Sequence, residues 1–297
     1  MSLLIIARAI KLTVLLRLPF KKKRVFTERL KHRHQTFWDD PRAESFRNTP
    51  LKSFASVELL YREPHWQRLL SNKANAMHFA ELNGCSVPEV YWQGRDVSEI
   101  PFDKLPPQFV LKPTIGHSCQ NVFLMVNGVN LMDKKPYSNN QLIHIMQEVL
   151  LQVPHNEFLV EEFLMSEDGE YRIPTDYKLH TFNGEIARIE AIHRFSANKG
   201  IVRVFDADWN RQENIGEKYK DKEKITDAPP ACLPEIINQA KKLSRLYQIY
   251  VRIDFYATNR GAVFGEFTPT PGIGIGFTKN ANHLFASYWD RHCYGMI

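Results

Sequence analysis

The sequence predicts an α+β fold whose strands are mostly antiparallel. Short segments in which apolar and polar residues alternate at every second position follow one another closely, and turn residues such as Asn183-Gly184 separate them. Segments with apolar residues three or four positions apart, typical of helices, stand between groups of strands and do not follow every strand. This order predicts antiparallel sheets with helices packed against them.

The composition predicts a folded, cytoplasmic protein with a basic N-terminal segment. At 297 residues and 43% hydrophobic, the chain can bury a substantial core. Much of the net charge of +6 lies in residues 21–24 and 31–34, but no nucleic-acid-binding motif accompanies it, so we expect no nucleic-acid partner. The four cysteines lie far apart and lack the spacing of a zinc site, which predicts reduced thiols.

Residues 1–68 are predicted to form a helical N-terminal region. Residues 2–18 are apolar but interrupted by Arg8, Lys11 and Arg17, which makes them too short and too charged to span a membrane. Two interpretations stay open. The segment is either a peripheral helix on the inner face of the cell membrane, held by its apolar bulk and basic cluster, or a helix packed on protein.

The remaining periodicity assigns the other elements in chain order. Helices are predicted over residues 66–83, 139–151 and 234–247, and Gly84 suits the end of the first of them. Strands are predicted over residues 87–92, 108–112, 121–126, 157–165, 177–183, 185–193 and 201–205.

The last predicted hairpin places two acids opposite each other. Alternating residues flank positions 259–261, where a three-residue loop would hold Gly261 in the left-handed conformation. That register sets Asp254 opposite Glu266. Because facing carboxylates repel each other, we interpret the pair as a Mg²⁺ site, since this ion takes one or two protein carboxylates and completes its shell with water and phosphate. A solvated outer face with a mixed charge network is the alternative.

A lysine at a strand end suggests a phosphate site. Lys112 ends an apolar strand and precedes a loop in which Gly116 and Ser118 could approach a phosphate. The loop lacks the spacing of a Walker A motif. An ordinary surface lysine at a strand end is the alternative interpretation.

The strand over residues 158–164 carries two adjacent acids, Glu161 and Glu162. Because neighbouring residues of a strand face opposite ways, at most one of the two faces a given pocket. The segment is either an edge strand with one acid outside, or a hinge strand whose backbone binds adenine and whose acid meets ribose hydroxyls.

Several further cations follow in the second half of the chain. Lys178 lies in the Asp176-Tyr-Lys178 strand, and Arg188, Arg194 and Arg203 lie on the strands after it. Each arginine alone fits a surface ion pair, but as a group they could meet an acidic substrate or a γ-phosphate. Phosphoryl transfer needs cations that position phosphates and acids that hold a metal, and the chain supplies both kinds, namely Lys112, Lys178, Arg252, Asp254 and Glu266.

These motifs occur in a specific order, and Leu70-Ser-Asn-Lys73, Phe102-Asp-Lys-Leu-Pro106 and Asp206-Ala-Asp-Trp209 accompany them. The final segment reads Gly265-Glu-Phe-Thr-Pro-Thr-Pro-Gly272. From about Leu69 to Phe285 the chain resembles the ATP-grasp superfamily, and most closely its teichuronopeptide-biosynthesis, or TupA-like, branch.

The resemblance implies an ATP-grasp fold in which two α+β subdomains, residues 69–160 and 161–297, clasp ATP. It implies that ATP activates a carboxylate as an acyl phosphate, which an amine then attacks to give an amide, ADP and phosphate. The expected partners are a carboxylate substrate and an amine acceptor, such as a glycan or lipid-linked sugar of a cell-surface polymer. A phosphotransferase that stops at phosphorylation of the acceptor, and a nucleotide-binding scaffold without activity, are the alternatives.

The resemblance also assigns the residues to roles. Nucleotide binding falls to Lys112, Lys178, the loop residues Gly116 and Ser118, and the adenine-side residues Glu161, Glu162, Phe163 and Leu164. The metal ligands are Asp254, Glu266 and Thr268, and the catalytic cations are Arg252, Lys178 and Arg203.

Two positions depart from the superfamily pattern. Many ATP-grasp enzymes have Asn two residues after the metal-binding Glu, whereas this chain has Thr268, which offers a hydroxyl in place of an amide oxygen. The phosphate loop over residues 116–121 is also less rich in glycine than in most members.

Overall fold

The computed structural model describes residues 25–54, 56–116, 119–196, 199–212 and 228–295. Within these ranges the chain forms two antiparallel sheets with helices packed on them, which confirms the predicted α+β class. The N-terminal segment of residues 1–24, for which a membrane or a protein surface was expected, lies outside the described residues, as does Ser118.

The first sheet has the strand order β1-β6-β2-β3-β4-β5. Its strands are β1 (Val90–Gly94), β2 (Gln108–Pro113), β3 (Phe123–Val126), β4 (Val129–Asn130), β5 (Lys135–Pro136) and β6 (Phe158–Glu162).

The second sheet has the strand order β11-β10-β7-β8-β9. Its strands are β7 (Asp176–Phe182), β8 (Glu185–Ser196), β9 (Lys199–Phe205), β10 (Val251–Thr258) and β11 (Gly261–Thr268).

The helices are α1 (Val25–Trp38), α2 (Ala43–Asn48), α3 (Val57–Leu60), α4 (Lys73–Leu82), α5 (Asn139–Gln152), α6 (Leu233–Tyr247) and α7 (Lys279–His292). Short 3₁₀ segments cover Trp66–Ser71 and Pro271–Gly274. The predicted helix over residues 66–83 is therefore broken, because the side chain of Asn72 accepts hydrogen bonds from the backbone N–H groups of Ala74 and Asn75 and starts a new helix there. Gly84 follows α4 with φ +76°, as expected for the end of that helix.

The two sheets have separate hydrophobic cores. Helix α5 begins with a capping box made by Ser138 and Gln141 and buries Leu142 and Met146 against the first sheet. The second sheet buries a larger, aromatic-rich core together with α1, α4, α6 and α7. The boundary between the cores brings the ends of β2 and β6 close to the face of β7 and β10, where the cavities described below lie.

Helix α1 belongs to the core of the second sheet. Phe26 is fully buried, and its ring lies edge-on to those of Tyr250 and Phe285, with ring centroids 4.9 and 5.0 Å apart. Thr27, one position on, donates a hydrogen bond of 3.0 Å to the carbonyl of Gly274. Gly274 has φ +73°, and a Cβ there would lie 2.8 Å from Cα of Thr27, so glycine is required where the loop meets α1.

Two buried arginines hold the segment that follows β11. Arg33 of α1 donates to the carbonyls of Tyr250 and Pro269 at 2.7 and 3.3 Å. Arg68 donates to the carbonyl of Arg33 at 3.0 Å, and burial together with the charge of Arg33 lowers the pKa of Arg68 to about 9. The segment after β11, which walls the functional site, is thus fixed from behind by α1.

The final hairpin has the predicted register for a different reason. Asp254 pairs with Glu266, but near the turn Thr258 pairs with Gly261, one residue out of step with a three-residue loop. A shift between Asp254 and Phe255 restores the register, and it leaves Gly265 as the extra residue of β11. A Cβ at Gly265 would lie 3.0 Å from the carbonyl oxygen of Asp254, which explains the glycine.

No helix in the described part of the chain is both long enough and apolar enough to cross a membrane.

The role of α1 can be tested by truncating its buried ring. We expect Phe26→Ala to lower the free energy of unfolding by about 3–5 kcal/mol, because it leaves a cavity among five aromatic side chains. Denaturant unfolding measures the change. Phe195→Ala is the matched control, since Phe195 is 42% exposed. A loss for Phe26→Ala no larger than that for the control would contradict the packing of α1 into the core.

Candidate functional site

A cavity of about 430 Å³ lies between the two sheets, and we call it the central cavity. Its lining combines cations and acids from β2, α4, β7, β10 and β11, namely Lys73, Lys112, Lys178, Arg252, Asp254 and Glu266. The structure therefore brings together the lysines and the facing acids that the sequence singled out, although they are separated by up to about 150 positions.

The floor of the central cavity is a buried ion cluster. Lys178 of β7 pairs with Asp254 of β10, its neighbour in the sheet, and also contacts Asp176 at 2.6 Å. Arg252 holds Asp254 with two hydrogen bonds, from Nε and Nη2, both of 2.7 Å. Because side chains two apart share one face of a strand, the alternation of β7 and β10 places all four charges on the same side of the sheet.

Opposite charges decide the protonation of this cluster. Burial alone would raise the pKa of Asp254, but Arg252 and Lys178 outweigh it and hold that pKa below its usual value. For Asp176, burial prevails over Lys178 and raises the pKa. The pKa of Lys178 lies above its usual value because Asp176 and Asp254 outweigh burial and the charge of Arg252. The cluster therefore keeps Lys178 charged deep in the protein.

Glu266 and Thr268 form the open edge of the cluster. The Glu266 side chain is 34% exposed, and its Oε1 accepts from Arg252 at 3.1 Å and from the Thr268 hydroxyl at 3.3 Å. Thr268 thus contacts Glu266, the acid with which it was predicted to share a metal ion. Its role as a metal ligand stays a prediction.

The acids fit Mg²⁺ as a pair and do not form a complete protein cage. Asp254 and Glu266 are cross-strand partners facing the central cavity, and one or two carboxylates beside phosphate suffice for this ion. Among the described residues no group of three or more His, Cys, Asp or Glu is arranged to hold a metal. The donor set therefore fits an ion that arrives with phosphate and water.

Lys112 and Glu161 pair at 2.5 Å on the inner face of the first sheet. Glu161 is 4% exposed, and its second oxygen is buried without a hydrogen-bond partner among the described residues. Glu162 faces the other way and pairs with Arg260 of the hairpin turn at 2.7 Å. The two carboxylates therefore pair in different directions, but both residues line the apolar cavity described next, so the prediction that at most one of them faces a given pocket was wrong.

A second cavity, of about 110 Å³, adjoins the central one, and we call it the apolar cavity. Its walls include Val110, Leu124, Met132, Phe163, Leu164 and Ile173. Lys112, Asp176 and Arg194 line both cavities. A flat apolar group bound there would therefore lie next to the lysines of the central cavity.

Lys73 is a site residue to which the sequence analysis assigned no role. It begins α4, and its ammonium donates to the carbonyl of Gly116 at 3.3 Å, at the start of the predicted phosphate loop. Burial lowers the pKa of Lys73, and the charge of Glu266 opposes that effect. The signal in the sequence was the Ser-Asn-Lys motif, whose Asn72 caps the helix and whose Lys73 faces the cavity.

A third cavity, of about 270 Å³, lies beyond the Pro271-Gly272 segment, and we call it the side cavity. Arg188 and Glu190 of β8 pair on its wall, next to the buried imidazole of His180. Burial lowers the pKa of His180 to about 4, so this imidazole is neutral at pH 7. Arg194 and Arg252 line both the side cavity and the central cavity.

Two other predictions concern Arg203 and the cysteines. Arg203, predicted to be catalytic, is buried on β9 and does not line any of the three cavities. The four cysteines are unpaired, as predicted, and Cys119 lines the apolar and central cavities.

Comparison with known proteins gives a family. The sequence model described as "TupA-like ATPgrasp" matches residues 57–286. No curated protein sequence matches the chain.

Among solved structures, the D-alanine–D-alanine ligase of Bacillus anthracis complexed with ATP is similar at 14% identity and a TM-score of 0.48, covering 76% of this chain and 65% of that one. The ligase PsnB complexed with a minimal precursor shares 13% identity at a TM-score of 0.40, covering 68% and 53%. An L-amino acid ligase of Bacillus licheniformis shares 12% at 0.43, covering 70% and 42%. The chain thus spans between two fifths and two thirds of the length of these proteins.

The buried ion cluster predicts a pH-dependent loss of stability in Lys178→Met. Without this cation two buried acids remain with Arg252 alone, and we expect a loss of about 3–5 kcal/mol at pH 8. The substitution raises the folded-state pKa values of both acids. An acid with a raised pKa destabilises the fold above its unfolded pKa, so the deficit shrinks as the pH falls toward 5 and the acids become protonated.

Denaturant unfolding at pH 5 to 8 measures this deficit, with the exposed Lys104→Met as the control. A deficit in Lys178→Met that stays constant over this range, or grows as the pH falls, would contradict the assignment.

Proposed function

Because the chain belongs to the TupA-like ATP-grasp family, we propose that it is an ATP-dependent ligase that joins a carboxylate to an amine through an acyl phosphate. The observation that carries this proposal is the mixture of charges around the central and apolar cavities, at the junction of the two sheets. The cations that line these cavities are Lys73, Lys112, Lys178, Arg194 and Arg252, and the acids are Glu161, Glu162, Asp176, Asp254 and Glu266.

The balance of charge supports a bound nucleotide with its metal. In the described structure each acid partners a cation, so the site is close to neutral. A magnesium–nucleotide complex carries negative charge on its phosphates and positive charge on its metal. The lysines can therefore contact the phosphates while the acids contact the metal. The adjoining apolar cavity, with Phe163 and Leu164 in its wall, suits the adenine ring.

Each residue has a role that follows from its position. Lys112 and Lys178 neutralise and orient the triphosphate, and Lys73 holds the loop at Gly116 beside it. Mg²⁺, when bound by Asp254 and Glu266, supplies charge neutralisation at the phosphate oxygens.

Arg252 stands where negative charge develops in both steps. A carboxylate oxygen first attacks the γ-phosphorus and ADP leaves. The amine then attacks the acyl carbon and phosphate leaves. A fixed guanidinium stabilises the charge that accumulates in each transition state, because it is already oriented by Asp254.

We further propose a role in the assembly of a cell-surface polymer, which rests on the resemblance of the sequence to the teichuronopeptide-biosynthesis branch. In that setting the amine acceptor, or the carboxylate, belongs to a glycan or a lipid-linked sugar. A membrane-peripheral position of the protein would bring it close to such a substrate.

The activity is testable with purified full-length protein. We expect ADP release that depends on Mg²⁺ and on an added carboxylate, with hydroxylamine trapping the acyl phosphate as a hydroxamate. L-Alanine, L-glutamate and D-glucuronate form the panel of carboxylates. A stable phosphorylated acceptor without hydroxamate would identify a phosphotransferase instead. Nucleotide binding without turnover, in the presence of amine and carboxylate, would identify a scaffold.

The metal role of the hairpin is tested by Glu266→Gln. This substitution keeps the shape of a partly exposed side chain but removes its charge, so stability should change little. We expect ADP release to fall at least about 10–100-fold and the Mg²⁺ concentration for half-maximal activity to rise. The exposed Glu99→Gln is the matched control. An unchanged Mg²⁺ requirement in Glu266→Gln would remove Glu266 from the metal site.

Thr268→Asn tests the position at which the chain departs from its superfamily. An amide oxygen is a better ligand for Mg²⁺ than a hydroxyl, so we expect the Mg²⁺ requirement of ADP release to decrease. Thr268→Val is the comparison, since valine has the shape of threonine but no side-chain oxygen that could bind Mg²⁺. If all three residues give the same Mg²⁺ requirement, position 268 does not contact the metal.

A further inference from the structure

We propose that Arg194 binds the carboxylate that is to be activated, and that the side cavity holds the rest of that substrate. This inference rests on the proposed ligase function and adds to it the place and the chemical class of the acid substrate.

Arg194 stands at the point where the three cavities meet. It lies near the end of β8, opposite Gly200 of β9, and it is the arginine that lines the apolar, central and side cavities alike. A group bound to its guanidinium would therefore lie beside the nucleotide site and at the entrance of the side cavity.

The charge of Arg194 has no counter-ion in the part of the chain that the structure describes. The other cations that line these cavities have partners: Lys112 has Glu161, Lys178 has Asp176 and Asp254, Arg252 has Asp254 and Glu266, Arg188 has Glu190, and Lys73 has the Gly116 carbonyl. The half-buried guanidinium of Arg194 forms no ion pair with a described residue. A partly desolvated cation without an acid favours an anionic ligand.

The side cavity is otherwise close to neutral. Arg188 is paired with Glu190, and the neighbouring imidazole of His180 is uncharged at pH 7. The remaining wall is apolar or backbone, with Ile192 and Val202 on one side and Phe277 on the other. This lining suits a small uncharged body that can hydrogen-bond to the edge of the Arg188–Glu190 pair.

The shape of the ligand group follows from the arginine itself. A guanidinium presents parallel N–H groups that match the two oxygens of a carboxylate. A carboxylate bound to Arg194 would face the central cavity, where Arg252 lines the same boundary. Under the proposed function the γ-phosphate binds in the central cavity, so the carboxylate would approach it across this boundary. The inferred substrate is therefore a small acid with one carboxylate and a polar, uncharged body.

Steady-state kinetics of Arg194→Gln and Arg194→Lys test this assignment. ADP release is measured with hydroxylamine and D-glucuronate, the acid of the panel that has one carboxylate and an uncharged body. We expect KM for the acid to rise about 10–100-fold in Arg194→Gln, because this variant loses a charged hydrogen bond to the acid. KM for ATP should stay unchanged. Arg194→Lys should bind the acid more tightly than Arg194→Gln, because lysine keeps the positive charge. It should bind less tightly than the wild type, because lysine lacks the parallel N–H groups of the guanidinium. Arg291→Gln, at an exposed arginine of α7, is the matched control.

Two kinetic results would overturn the inference. An unchanged KM for the acid in Arg194→Gln would remove Arg194 from substrate binding. A rise in KM for ATP instead would assign Arg194 to the phosphates. Since Arg194 forms no ion pair with a described residue, both variants should unfold at the wild-type temperature, and this separates a binding defect from misfolding.

Binding without catalysis separates this inference from the proposed function. Saturation-transfer NMR on ATP-free protein compares D-glucuronate with D-glucose and with D-glucuronamide. We expect an acid to bind to the wild type and not to Arg194→Gln, with the uncharged analogues silent. If the wild type releases no ADP but still binds an acid through Arg194, the ligase proposal fails and the site stands. If acids bind equally to both proteins, the site itself is refuted.

Discussion

The buried ion cluster of Lys178, Asp254 and Arg252 is the interaction on which the site depends. Two of its members, Lys178 and Asp254, are less than a tenth exposed, and a charge so deeply buried is tolerated only when its partners are held in place. Adjacent strands β7 and β10 supply them in register, so the sheet itself fixes their geometry. The cluster also costs stability relative to an apolar core, which is typical of a site kept for function.

The surrounding fold works to keep this cluster and its walls in place. Helix α1 contributes Phe26 to the aromatic core behind β7 and β10, and Thr27 and Arg33 hold the segment that follows β11. This segment separates the central cavity from the side cavity. On the other side, the Arg260–Glu162 pair ties the hairpin turn to β6. Changes in α1 or in this pair should therefore alter the geometry of the site, and Glu162 itself lines the apolar cavity.

Much of this arrangement could be predicted from local patterns. The alternation of residues around Asp254 and Glu266 predicted that these two acids pair across the hairpin. The same two-residue period predicted that the side chains of Glu161 and Glu162 point in opposite directions. The hairpin also shows the limit of such reasoning. The turn differs from the predicted three-residue loop, and a bulge at Gly265 restores the register that pairs Asp254 with Glu266. The alternation of residues in the sequence predicts neither feature.

The positions of single cations could not be predicted, because they depend on contacts between distant segments. Arg194 and Arg203 carry the same charge in neighbouring strands, yet Arg194 borders three cavities and Arg203 is buried away from them. Lys73 enters the site only because α4 starts at Asn72 and packs beside the Gly116 loop. Tertiary packing decides these cases, and no repeat or spacing in the sequence encodes it.

The central claim is that this site converts a carboxylate into an acyl phosphate. An acid labelled with ¹⁸O in its carboxylate tests it directly, with ³¹P NMR of the phosphate released during amide formation. An acyl-phosphate route transfers one ¹⁸O atom from the acid to each inorganic phosphate, because the attacking carboxylate oxygen leaves with the phosphoryl group. The account predicts this labelled phosphate in amounts equal to the ADP formed. Unlabelled phosphate, formed by attack of water on ATP, would contradict it.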